Sequence, residues 1–336
     1  MRIVSSAPTR IDLAGGTMDI WPLYLFHEQA QTVNAAISLR ARCALEPEGG
    51  GRIVIHSADT GHTVEVGHWS ELRDNHELKL LGRLLHHFQV AGLRLTTRCE
   101  SPVGAGIGGS SALNIAVCGA LAAWTGRELA AEALLQIAQN VEAQAIDVPT
   151  GSQDYRPAYY GGVSAVELGA EGVRRVGLRV DPADLQARLV LAYTGASRNS
   201  GINNWEMFKR HIERDAEVFD RFERIRDVTV ALRAALERAD WDEVGRQIAA
   251  EWETRKGLAS GVTTPEIDRM MAAARDAGAT GTKICGAGGG GCMIAFAPQA
   301  RVPAVRDALA AGGARVLDYH IESEGLQVER VPMPVA

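Results

Sequence analysis

The stretch Pro102 to Ala112, PVGAGIGGSSA, limits what this chain can fold into. Ahead of it, Leu93 to Cys99 (LRLTTRC) has the β-branched, alternating character of a strand. Behind it, Leu113 to Trp124 (LNIAVCGALAAW) is apolar enough for a buried helix. The glycines therefore lie between a strand and the first turn of a helix. A helix N-terminus offers unpaired N–H groups and the positive end of the macrodipole. Gly104, Gly106, Gly108 and Gly109 lack a β-carbon, which lets a phosphate come close to the backbone. Ser110 and Ser111 add hydroxyls able to cap the helix, bond a phosphate or ligate a metal.

Gly104, Gly106 and Gly109 fit the dinucleotide spacing G-x-G-x-x-G, but that pattern wants a second strand after the helix, and Glu128 to Ala145 reads as another helix. A P-loop needs Gly-Lys-Ser/Thr, and the stretch holds no lysine. The order Pro-x-x-x-Gly-x-Gly-Gly-Ser-Ser-Ala resembles the phosphate motif of the GHMP kinases. Two further segments carry the same resemblance. Ala7 to Asp19 (APTRIDLAGGTMD) is similar to the family's first motif, and Cys285 to Cys292 (CGAGGGGC) to its third.

The resemblance implies an α+β, two-domain fold. The N-terminal domain is expected to be ribosomal-S5-domain-2-like (1–180) and the C-terminal domain ferredoxin-like (181–336). It implies ATP-dependent phosphorylation of a hydroxyl, with ATP and Mg²⁺ as cofactors. The glycines and Ser110 and Ser111 would hold the nucleotide phosphates, and Ser111 (or Ser110) with Glu142 would hold Mg²⁺. Asp154 would face the acceptor hydroxyl and Arg10 the moving phosphoryl. Thr17, Asp19, Gly151 and Arg198 are the expected substrate contacts. The segments TGSQDYRPAYYGG (150–162) and YTGASR (193–198) resemble the heptose kinase branch of the family, which implies a sugar or sugar-phosphate acceptor.

Composition sets outer limits. A formal net charge of −6 argues against a nucleic-acid-binding surface. No apolar run reaches membrane-spanning length. Cys43, Cys99, Cys118, Cys285 and Cys292 are odd in number and scattered, as suits reduced thiols, and a cytoplasmic location is expected. A homodimer stays open.

Along the chain, residues 2–14 read as a strand, with Pro8 marking an edge or bend. Residues 33–66 read as a β-meander, 78–88 as a helix, and 110–124 and 128–146 as two more. A hairpin is expected over 163–178 and a linker at 182–184. Residues 203–239 read as helical, followed by helices over 241–258 and 264–277 and strands at 280–285 and 292–297. Asp240 and Thr264 are the expected N-caps. Arg10 and Asp12 are expected on one face of their strand. Lys283 reads equally as a phosphate contact or a surface lysine. His56, His62, His68 and His76 read as surface-loop residues.

Overall fold

The computed structural model describes residues 1–73, 76–195 and 200–332. The strands are β1 (Arg2–Ala14), β2 (Gln31–Pro47), β3 (Ile53–Ser57), β4 (Thr63–Val66), β5 (Leu93–Cys99), β6 (Val163–Gly169), β7 (Gly172–Gly177), β8 (Leu189–Tyr193), β9 (Gly281–Ile284), β10 (Cys292–Phe296), β11 (Arg315–Leu317) and β12 (Gln327–Val331). The helices are α1 (Lys79–Phe88), α2 (Gly109–Thr125), α3 (Ala131–Ile146), α4 (Tyr155–Tyr160), α5 (Pro182–Gln186), α6 (Ser200–Ile212), α7 (Ala216–Glu237), α8 (Trp241–Arg255), α9 (Pro265–Asp276) and α10 (Val302–Ala311).

Among the described residues the strands form one eight-stranded and one four-stranded sheet. The larger runs β12-β1-β2-β5-β3-β4, with β6 and β7 continuing from the other end of β2. β1 is continuous through Pro8. The register shifts between Pro8 and Thr9, just beyond the last β12 pairing at Ser6, so the proline sits at a bulge where its missing N–H disrupts no ladder. The smaller sheet runs β11-β8-β10-β9, all antiparallel, with helices between β8 and β9 and between β10 and β11. That βαββαβ order is ferredoxin-like, as expected.

Three expectations need correction. The 33–66 region is not a meander, because β5 inserts between β2 and β3 and pairs with β3 in parallel. The helical stretch 203–239 is two helices, because Asp215 ends one and caps the next by accepting from Val218 N–H at 3.1 Å. Residues 182–186 are a short helix, with Asp181 as N-cap and Pro182 in its first turn.

α2 is apolar on every side, and so it is buried on every side. It packs on β1 and β2, with α1, α3 and α4 around it. A second core joins the two sheets: Ile11, Val33 and Ile37 of the larger meet Leu191 and Ile294 of the smaller, together with Leu232 of α7 and Ile248 of α8. We propose residue 180/181 as the division between the two halves. One exchange crosses it, since β12 returns to pair with β1 of the larger sheet.

Candidate active site

β5 leads into the glycine stretch and α2 starts at Gly109, as the sequence predicts. The loop is held from two directions. Arg10 on β1 bonds it through its backbone N–H to Ile107 O at 2.9 Å and its guanidinium to Gly106 O at 2.8 Å. From the smaller sheet, Cys292 N–H reaches Ala105 O at 2.7 Å. The third glycine-rich turn thus packs directly beneath the phosphate-motif loop.

The other guanidinium nitrogens of Arg10 grip Asp154, Nε at 2.8 Å and Nη2 at 2.6 Å from Oδ1. Burial works against the Arg10 charge, but Asp154 and then Asp12 outweigh it and hold the guanidinium firmly protonated. Asp154 keeps 27% of its side chain exposed, on the cleft side of the pair. It also abuts the phosphate-motif loop: a β-carbon built on Gly108 would lie 3.4 Å from Asp154 Cγ and 3.5 Å from Arg10 Cγ.

Glu142, on the last turns of α3, is buried. Its Oε2 accepts from Ser111 Oγ at 3.0 Å, Tyr155 OH at 2.8 Å and Asn114 Nδ2 at 3.3 Å. Burial raises its pKa despite hydrogen bonds from Tyr155, Ser110 and Asn114. Every one of these donors is neutral. Ser110 itself is exposed at the cleft.

Thr17 and Asp19 follow β1. Thr17 sits at φ +71°, an uncommon conformation for a β-branched residue. It is held there by Arg255, which donates to Thr17 Oγ1 at 3.2 Å and to Gly16 O at 2.7 Å. Asp19 Oδ2 accepts from Gln153 N–H at 2.8 Å. It occupies the space a side chain at 151 would need, since a β-carbon on Gly151 would lie 2.0 Å from Asp19 Oδ2. Burial pushes the Asp19 carboxyl up to about 6.

These groups line one cleft of about 750 Å³. Leu78, Leu81, Ile146 and Val148 add apolar lining, and Asn204 and Trp205 of α6 also border the cleft. The structure brings together Arg10, Thr17, Asp19, Gly104, Gly106, Gly108, Gly109, Ser110, Ser111, Glu142, Gly151 and Asp154. Arg198 lies outside the described residues. Lys283 is neither a surface lysine nor a phosphate contact. It is fully buried, with Nζ 2.5 Å from Asp12 Oδ2 and 3.0 Å from Asp12 O. Arg10 and Asp12 are likewise buried, not a solvated pair. Sequence reasoning did not find Tyr155, Asn114, Glu251 or Arg255, whose roles arise from contacts between distant segments.

The N-terminal model of the GHMP kinases matches residues 75–162 and the C-terminal model residues 232–315. The chain is a GHMP kinase. It is similar to a D-glycero-alpha-D-manno-heptose 7-phosphate kinase of Campylobacter jejuni, 28% identical over 98% of this chain and 99% of that one. A mevalonate kinase of Pyrococcus furiosus is 30% identical over 71% of this chain and 70% of its own. Among solved structures, a D-glycero-D-manno-heptose 1-phosphate kinase from Bacteroides thetaiotaomicron superposes with a TM-score of 0.80 at 23% identity, covering 98% of this chain and 100% of that one. This GHMP kinase is accordingly an ATP-dependent phosphotransferase acting on a hydroxyl.

Proposed function

We propose that this GHMP kinase phosphorylates the anomeric hydroxyl of a sugar, D-glycero-D-manno-heptose 7-phosphate in the first instance, giving the 1,7-bisphosphate. The observation that carries the reading is the contact of Asp154 with Gly108. A carboxylate that can face an alcohol and the helix start that can face phosphates share a wall, with Arg10 touching both. The match to the Campylobacter jejuni heptose kinase along 98% of the chain supports the sugar.

Phosphoryl transfer depends on positioning and charge neutralisation more than on covalent chemistry. The N–H groups at the start of α2 bind nucleotide phosphates. Asp154 orients the acceptor hydroxyl and takes its proton. Arg10 both fixes Asp154 and neutralises charge on the phosphoryl in flight. Ser111 and Glu142 would hold Mg²⁺: a hydroxyl and a buried carboxylate surrounded only by neutral donors form an oxygen set that suits a hard divalent cation. Bound there, Mg²⁺ would supply neutralisation of phosphate charge. Thr17, Asp19 and Gly151 shape the acceptor end. A buried carboxylate there can accept hydrogen bonds from the hydroxyls of a polyol, which suits a sugar. The five free cysteines fit a cytoplasmic setting.

Two measurements test this. ADP release across free and phosphorylated sugars, with mevalonate as control, is expected to peak on the heptose 7-phosphate. Asp154→Asn is expected to lower kcat by about 10²-fold or more while calorimetric ATP affinity stays within a few-fold. Full turnover in that variant would remove Asp154 as the base.

A further inference from the structure

A second hollow, of about 440 Å³, opens on the side of α1 and α3 away from the nucleotide cleft. The first turn of α1 (Leu78–Leu81) and the last turns of α3 (Glu142, Ile146) line the cleft. Other positions of the same two helices, Arg83, His86, His87, Asn140 and Gln144, line the hollow, and Arg73 joins them from before α1.

Its polar lining is two guanidinium groups, two imidazoles and two amides, with no carboxylate among the described residues. Within that set neither Arg73 nor Arg83 makes an ion pair, and Arg83 Nε is buried with no hydrogen-bond partner. The carboxylate that feels the Arg83 charge is Asp147 at the rim, and Lys79 already holds it at 2.5 Å. The wall is firmly built: Trp69 packs edge-on against His86 at 5.2 Å between ring centroids, and Arg127 caps the Phe88 ring at 5.3 Å. Partial burial, then Arg127 and His86, push the His87 pKa down, as expected beside other basic groups.

In a chain of net charge −6 the charged groups among the described lining residues are all cationic, in a hollow that is open to the surface. A buried unpaired N–H costs free energy, and guanidinium pairs meet that cost best with an anion offering several oxygens. A cavity of this size matches a small-molecule ligand. We propose that the hollow is a second binding site, separate from the nucleotide cleft, for a phosphate-bearing small molecule. It does not depend on which sugar the kinase uses.

The test is calorimetric titration of inorganic pyrophosphate into the full chain with the cleft already saturated by Mg²⁺ and a non-hydrolysable ATP analogue. One-to-one binding is expected, weakened about tenfold or more by Arg73→Gln and by Arg83→Gln. Turnover in the absence of pyrophosphate should stay near wild type in both. Arg73 is exposed, so its variant keeps the fold and decides the matter if Arg83→Gln proves unstable. No binding to the nucleotide-filled protein at millimolar pyrophosphate, or wild-type affinity in Arg73→Gln, overturns the proposal.

Discussion

Asp154 and Asp19 are carboxylates of one cleft with different company. Asp154 rests on the Arg10 guanidinium, whereas Asp19 is enclosed with a backbone N–H as its hydrogen-bond donor. Burial lifts Asp19 to about 6, and nearby Asp154 adds to the rise while the Gln153 N–H opposes it. In the proposed role of accepting substrate hydroxyl bonds, Asp19 works best ionised. The KM for the sugar should therefore fall as pH rises from about 5 to about 7, with kcat comparatively flat. Asp19→Asn should raise KM and flatten the profile. Stability runs the other way. The folded state holds this proton to higher pH than the unfolded chain does, so Asp19's contribution is present below about pH 4 and lost as pH climbs through about 6. Urea midpoints of wild type and Asp19→Asn across that window should diverge accordingly, and a KM profile without an inflection there excludes Asp19 from the acceptor site.

Among the elements, α6 is attached through a buried pair of histidines. His211, near its end, is buried with Nε2 2.8 Å from His27 Nε2, and His27 in turn bonds Glu223 of α7 through Nδ1. Phe219 and Phe222 pack around both rings. The other end of α6 carries Asn204, which meets Thr17 Oγ1 at 3.2 Å in the cleft. Burial, then His27 and Arg214, hold the His211 pKa down at about 4. The folded state keeps His211 neutral while the unfolded chain takes up a proton near pH 6.5, so this stability is present above about 6.5 and lost as pH falls toward 4. His211→Phe should narrow the gap in unfolding free energy between about pH 7 and pH 5 by roughly 1–2 kcal/mol. An unchanged gap would mean that His211 does not titrate with unfolding. Nothing in the α6 sequence signals this latch. Periodicity located most of the helices and strands because it is local. The parallel β3–β5 pairing and the return of β12 are choices among distant partners, and hydrophobic pattern alone does not rank them. The same division holds in the cleft. Arg10, Ser111, Glu142 and Asp154 sit in recognisable local motifs, whereas Tyr155 acts by touching Glu142, and Lys283 by touching Asp12 from 271 residues away.

The halves of the molecule are joined by charge as well as by apolar packing. Asp12 belongs to the larger sheet, Lys283 to the smaller, and Glu251 and Arg255 to α8, all fully buried. Lys283 Nζ lies 2.5 Å from Asp12 and 3.8 Å from Glu251, and Arg255 closes on Glu251 at 2.5 Å. Asp12 Oδ1 also accepts from Gly286 N–H at 2.9 Å and stands 3.6 Å from Arg10 Nη1. Burial would raise the Asp12 pKa, but Lys283, then Arg10 and Arg255, bring it below the ordinary value. Lys283→Met leaves Asp12 buried without its main partner, a loss of about 3–5 kcal/mol. Arg10, 3.6 Å from Asp12, is then its nearest cation among the described residues, so its guanidinium should shift toward Asp12 and away from Asp154, and kcat should fall although Lys283 is not placed at the substrate. Asp12→Asn alone leaves the lysine with only the more distant Glu251, which Arg255 already holds, and is also destabilising. Combining the two removes both charges, so the double variant should lose markedly less than the sum of the singles, a coupling of about 1–3 kcal/mol in urea unfolding. Strictly additive losses would mean that Asp12 and Lys283 stabilise the seam independently, and that the two halves rely on the apolar core alone to hold Arg10 over the cleft.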